Sequence, residues 1–170
     1  MRRILGLDVG ERTIGVAVSD ELGITAQGVG VYRRASWSAD LSYIRQLLER
    51  YQVAAIVVGL PKNMDGSLGL QAQKTLAFIE RLRRSCALSV IAWDERLSTQ
   101  QAERVLLAAD TSRRRRKHLR DQLAAQLILQ TYLERRARHG DVSGSKAHFV
   151  PQDGRRHTQD EEMGKPDPDH

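Results

Sequence analysis

Residues 53–59 read Val-Ala-Ala-Ile-Val-Val-Gly, an unbroken apolar run without a polar alternate. A strand with one wet face alternates apolar and polar side chains, so a continuous run predicts a strand covered on both faces, inside a sheet that has helices above and below. Residues 3–8 and 13–19 read as two more buried strands, the second rich in β-branched and small side chains, with Val9-Gly10-Glu11-Arg12 between them at about the length of a hairpin loop. Asp20-Glu21-Leu22-Gly23 makes the next turn. Residues 24–32 form a third extended segment, in which Gly28 and Gly30 point to a bulge or a close backbone approach.

The period then changes. Leu41, Ile44, Leu47 and Leu48 share one face of a helix that begins near Ser38 to Asp40. After the 53–59 strand, Pro61 to Ser67 must be a loop; a second helix covers about 69–84, with Leu70, Thr75 or Leu76, Ile79 and Leu82 inward. Strand 88–93 and helices at about 98–109 and 114–138 complete the order. Three extended segments followed by helix and strand in alternation predict an α/β fold: an antiparallel three-strand meander joined to parallel strands in a mixed sheet flanked by helices. A chain of 170 residues has room for one such domain, residues 1–139, and the polar, Gly- and Pro-containing segment 140–170 reads as a disordered tail.

Charge sharpens the division. Residues 1–139 carry 23 Lys and Arg against 14 Asp and Glu, whereas 140–170 carry 4 against 7, so a body of +9 precedes a tail of −3. The densest basic cluster is Arg113-Arg114-Arg115-Arg116-Lys117 with Arg120 after it, a footprint suited to a phosphate backbone. A single cysteine, Cys86, excludes an internal disulfide and a cysteine zinc cluster and reads as a small buried or half-buried side chain. No signal peptide and no run of the roughly 20 apolar residues of a membrane span is visible, which predicts a cytoplasmic protein.

Three acids stand where reactive groups are placed in α/β proteins. Asp8 ends the apolar run Ile4-Leu5-Gly6-Leu7, and Glu95 follows Ser89-Val90-Ile91-Ala92-Trp93-Asp94. Both lie at carboxyl ends of strands, where the sheet holds the backbone and side chains emerge into a crevice. Gly6 and Gly10 flank Asp8 and leave room for a ligand or a second backbone. Asp121 heads a helical face continued by Ala125, Ile128 and Tyr132, and is either a third metal ligand or the partner of Lys117 or Arg120. Trp93 reads as core or as a platform for a base.

The segments Leu5-Gly6-Leu7-Asp8-Val9-Gly10, Ile14 to Asp20, Val57 to Ser67, Asp94 to Thr99, and Asp121 to Ala125 together resemble the YqgF/RuvX proteins. These are bacterial RuvC-like members of the RNase H-like superfamily, described as Holliday junction resolvases and as nucleases that mature the 5′ end of pre-16S ribosomal RNA. The resemblance spans about residues 3–135 and implies an RNase H-like domain. It implies that Asp8, Glu95 and Asp121 are catalytic and bind divalent metal, Mg²⁺ or Mn²⁺, as two ions with Asp8 between them. It implies further that Arg12, Lys62, Arg96 and Thr99 lie at the substrate; the charge of Arg113, Arg114, Arg115, Arg116, Lys117 and Arg120 would then carry a more distant strand of pre-rRNA or branched DNA. Thr13 stands where many relatives carry a second basic residue. A monomer or a homodimer is compatible with these roles.

Two other classes compete. The Asp8-Val9-Gly10 hairpin also resembles the phosphate turn of actin-like and sugar-kinase-like ATPases, which need two such domains where this chain has one. The other is a non-catalytic RNA-binding assembly factor, distinguished by whether acid-to-amide variants keep function.

Overall fold

The computed structural model describes residues 2–97 and 113–139, so the helix expected at 98–109, Thr99 and the tail 140–170 lie outside the described residues. The meander is present as β1 (Arg3–Val9), β2 (Thr13–Ser19) and β3 (Ala26–Arg33). Then come α1 (Trp37–Arg50), β4 (Val53–Leu60), α2 (Leu70–Ser85), β5 (Ser89–Asp94), a short 3₁₀ turn at Glu95–Leu97, and α3 (Arg113–Arg138). The five strands form one sheet in the order β3-β2-β1-β4-β5. β1, β2 and β3 pair antiparallel, and β4 runs parallel to both β1 and β5. This is the mixed sheet that the sequence predicts, an antiparallel meander joined to parallel strands.

β4 justifies the reading of its apolar run, since Ile56, Val57 and Val58 are fully buried in the middle of the sheet and face alternate layers. On one side Ile56 and Val58 join Leu5, Leu7, Ile14 and Val16 beneath α1 and α2, which contribute Ile44, Leu47, Phe78, Ile79 and Leu82. On the other, Val57, Ile4 and Ala17 meet Ala125, Ile128, Leu129 and Leu133 of α3. Burial of each large aliphatic side chain contributes about 1.5–3 kcal/mol, so the first and bulkier face carries most of the hydrophobic stabilisation.

Local chemistry corrects two expectations. α1 starts at Trp37 because Ser36 is its N-cap, accepting a hydrogen bond from the Ala39 amide at 3.2 Å; Asp40 is instead buried within the first turn. Leu70 does not turn inward. It is the first residue of α2 and 70% exposed, and Ala72 takes the place in the core that the periodicity assigned to it. The glycines of β3 fill both roles foreseen for them. The β2–β3 register slips between Val16, opposite Gly30, and Ala17, opposite Gly28, which leaves Val29 as a bulge, while a side chain at position 28 would run into Gln122 of α3.

Cys86 caps the end of α2, half-buried, with Sγ 3.1 Å from the Leu82 carbonyl. Trp93 belongs to the packing under α3: its indole donates to Thr131 Oγ1 at 3.0 Å and its ring meets Tyr132 edge-on. Among the described residues no helix is long and apolar enough to cross a membrane.

Candidate active site

Asp8 lies on the α3 face of β1, continuing the alternation that puts Ile4 and Gly6 there. Its cross-strand partner on β2 is Gly15, and on the other side Gly59 of β4 follows Val58, the partner of Leu7. Both neighbours therefore lack a side chain on the level of Asp8. The backbone carbonyl of Asp121 rests on Gly15, so closely that a Cβ there would collide with it. Glu95 crosses Gly59 in the same way, its Oε1 and the Ile128 side chain occupying the space that a Cβ would need. Two glycines thus open the sheet surface on either side of Asp8, one for each of the other acids.

Asp8 and Glu95 share a hydrogen bond between carboxyl groups, which requires a proton on one of them. Burial pushes Glu95 up to about 8, helped by the charge of Asp8, the shared bond and the charge of Asp94. Asp8 is raised too, by burial first and by repulsion from Asp121, while the bond from Glu95 works in the opposite direction. The pair therefore holds on to a proton well above the usual carboxylate range. Asp121 is turned to β2, where its Oδ2 accepts from Thr13 Oγ1 at 3.2 Å. Among the described residues no three His, Cys, Asp or Glu side chains gather closely enough to hold a metal ion. The all-oxygen donor set of Asp8 and Glu95 nevertheless suits a hard divalent cation, which would displace their shared proton.

Asp94, adjacent to Glu95, has a different fate. Arg96 grips it with two guanidinium nitrogens, at 2.7 Å and 2.9 Å, and this pairing holds the Asp94 carboxyl below the usual carboxylate range. The charge of Lys62 acts in the same direction, which puts Lys62 beside this pair. The loop before α2 closes over Arg96: Asp65 and Asn63 bind Ser67 within the loop, and Gly66 at φ +84° turns it next to the Arg96 guanidinium. Lys62 and Arg96 therefore border the acids. Arg12 is exposed on the β1–β2 loop, and Arg115 and Arg120 are exposed on α3. For Arg113, Arg114, Arg116 and Lys117 only the helical backbone is described.

The sequence reading noted Thr13 only as a missing basic residue, not as the partner of Asp121, and it gave Gly15 and Gly59 no part in placing the acids. Glycine placed inside an otherwise β-branched strand is the signal that could have found the last two. Nothing in the sequence distinguishes Thr13 from an ordinary strand residue.

The family described as "RuvX: Holliday junction resolvase" matches residues 2–135, the span that contains the sheet and all three acids. The chain belongs to the RuvX family. A relative from Halothermothrix orenii, named "Putative pre-16S rRNA nuclease", is 56% identical over 131 residues, 77% of this chain and 94% of its own length. One of the same name from Symbiobacterium thermophilum is 56% identical over 135 residues, 79% of this chain and 94% of its own length. A more distant likeness is to T. thermophilus RuvC in complex with Holliday junction substrate, at TM-score 0.48 and 18% identity, over 82% of this chain and 97% of that one.

Proposed function

We propose that this RuvX protein is a divalent-cation-dependent nuclease that hydrolyses phosphodiester bonds at the 5′ end of pre-16S rRNA. The observation that carries the reading is the half-buried Asp8–Glu95 carboxyl pair at the carboxyl ends of β1 and β5, with Asp121 near enough for its charge to be felt by Asp8. Like-charged groups are seldom buried together for stability, because each raises the cost of ionising the other. They are common where a cation or a proton must be handled. The name shared by the relatives supplies the substrate.

Asp8, Glu95 and Asp121 would hold Mg²⁺ or Mn²⁺, and Thr13 would keep Asp121 oriented until then. Bound there, the cation would activate water and relieve charge on the scissile phosphate. Lys62 and Arg12 would hold flanking phosphates, while Arg96 is committed first to Asp94 and would reach a phosphate only at the edge of that pair. Arg115 and Arg120, with the rest of the basic run at the start of α3, would carry the backbone further from the cut.

The description of the family favours one other substrate, a four-way DNA junction. The deciding experiment offers a 5′-extended small-subunit rRNA precursor and a DNA junction side by side, with Mg²⁺, with Mn²⁺ and with chelator. Cation-dependent cleavage of the precursor alone supports the proposal. Cutting of the junction alone replaces it with resolvase activity, and binding of RNA without any cleavage replaces it with an assembly factor.

A further inference from the structure

Asp40 is 1% exposed, yet it lies in the first turn of α1, away from the three acids. Its carboxylate accepts from Arg34 Nε at 2.8 Å, from the Ala35 amide at 3.4 Å and from the Tyr32 hydroxyl. Arg34 uses its remaining reach on the β1–β2 loop. Its Nη1 donates to the Gly10 carbonyl at 2.8 Å, and its own backbone amide donates to the Arg12 carbonyl, also at 2.8 Å. The guanidinium lies 5.4 Å from the centre of the Phe78 ring, so α2 walls it in from the other side.

The loop does not need this clamp to close, because the Gly10 amide already bonds the Thr13 carbonyl at 2.8 Å. Nor is a buried ion pair an efficient source of stability, since desolvation offsets most of its attraction and apolar residues of similar size often do as well. What a planar guanidinium adds is direction: it fixes a carboxylate and a carbonyl at once, in one plane. The residue so fixed lies between Asp8 and Arg12.

We propose that Arg34 and Asp40 are a positioning pair, which holds the Gly10–Arg12 loop so that the Arg12 side chain meets a substrate phosphate beside Asp8. The pair touches no substrate itself and works through Arg12. This rests on the nuclease reading above and deepens it, because it makes substrate affinity depend on a buried pair that lies behind the loop.

The test is steady-state cleavage of the 5′-extended rRNA precursor with Mg²⁺, run as a double-mutant cycle. Arg34→Lys keeps the charge facing Asp40 but cannot span to the Gly10 carbonyl in the same plane. It is expected to raise KM about tenfold, to leave kcat within about twofold, and to add less than twofold to KM in the Arg12→Ala background. Asp40→Asn, which keeps the shape and releases Arg34, is expected to show the same loss and the same silence without Arg12. An unchanged KM in both variants overturns the proposal, and so does an equal loss with and without Arg12, which would mark the pair as mere scaffold. Wild-type protein that neither binds nor cleaves the precursor fails differently, because it overturns the nuclease reading itself.

Discussion

The two faces of the sheet are built from different materials. Beneath α1 and α2 the strands present Leu5, Leu7, Ile14, Val16, Ile56 and Val58, and the layers are held apart by full-sized side chains. Toward α3 they present Gly6, Gly15, Gly28 and Gly59 with Ala17 and Ala26, and the helix comes down until its backbone rests on the strands. The first face is a core in the ordinary sense. The second gives up apolar volume so that a helix and a 3₁₀ turn can bring Asp121 and Glu95 level with Asp8, which separates the source of stability from the seat of chemistry.

That separation can be broken at several points. The largest effect is expected from Asp8→Asn, which removes one of the two paired carboxylates; metal-dependent cleavage should fall by about 10³-fold or more while the thermal melt stays cooperative and RNA binding persists. Full activity in a gel assay of this variant would sink the assignment. Next comes a matched pair, one from each face. Ile79→Ala should cost about 2–5 kcal/mol in denaturant unfolding yet leave the activity of the folded fraction unchanged. Gly15→Ala should cost only about 1–3 kcal/mol, because it overpacks the α3 contact, but should lower cleavage by about 10–100-fold as Asp121 is pushed away. Equal ratios of activity loss to stability loss in the two variants would dissolve the distinction between the faces.

A smaller effect follows from the shared proton. The folded state keeps a proton on Glu95 up to about pH 8, whereas the unfolded chain loses it near 4.5, so without cation the folded state loses stability as pH rises from 4.5 toward 8. Asp8, raised as well, adds to the same trend. Glu95→Gln should therefore flatten the dependence of Tm on pH in chelator and stabilise the protein at pH 8 by about 1–2 kcal/mol. A melting profile that keeps its slope in the variant would place the proton elsewhere. The smallest effect is at the periphery: Arg115→Ala and Arg120→Ala should each reduce the salt slope of RNA binding by about one, with little change in cleavage at saturating substrate. Slopes identical to wild type would make these arginines a solvated helix surface.

How much of this was legible beforehand depended on the range of the interaction. The strands, α1, α2 and α3 follow from period and composition within a dozen neighbouring residues, and their observed limits differ from the expected ones by a few positions at most, as with Ser36 capping α1 ahead of the expected start. Leu70 was misassigned because helical spacing names a face but not the first turn at which tertiary contact begins. Asp8 and Glu95 were legible from strand ends. The role of Thr13 was not, because its partner Asp121 is 108 residues away.

The layered α/β order, the burial of β4 on both faces, the basic body and the two acids at strand ends all follow from the order of residues alone. These are properties of short stretches, fixed by side-chain alternation and by where apolar runs stop. Folding of the whole chain settles which glycines give way to which acid, that Arg96 takes up Asp94, and that Arg34 ties Asp40 to the loop beside Asp8. Each depends on register between strands and on how closely a helix can approach a sheet, and packing sets both once the whole chain is in place.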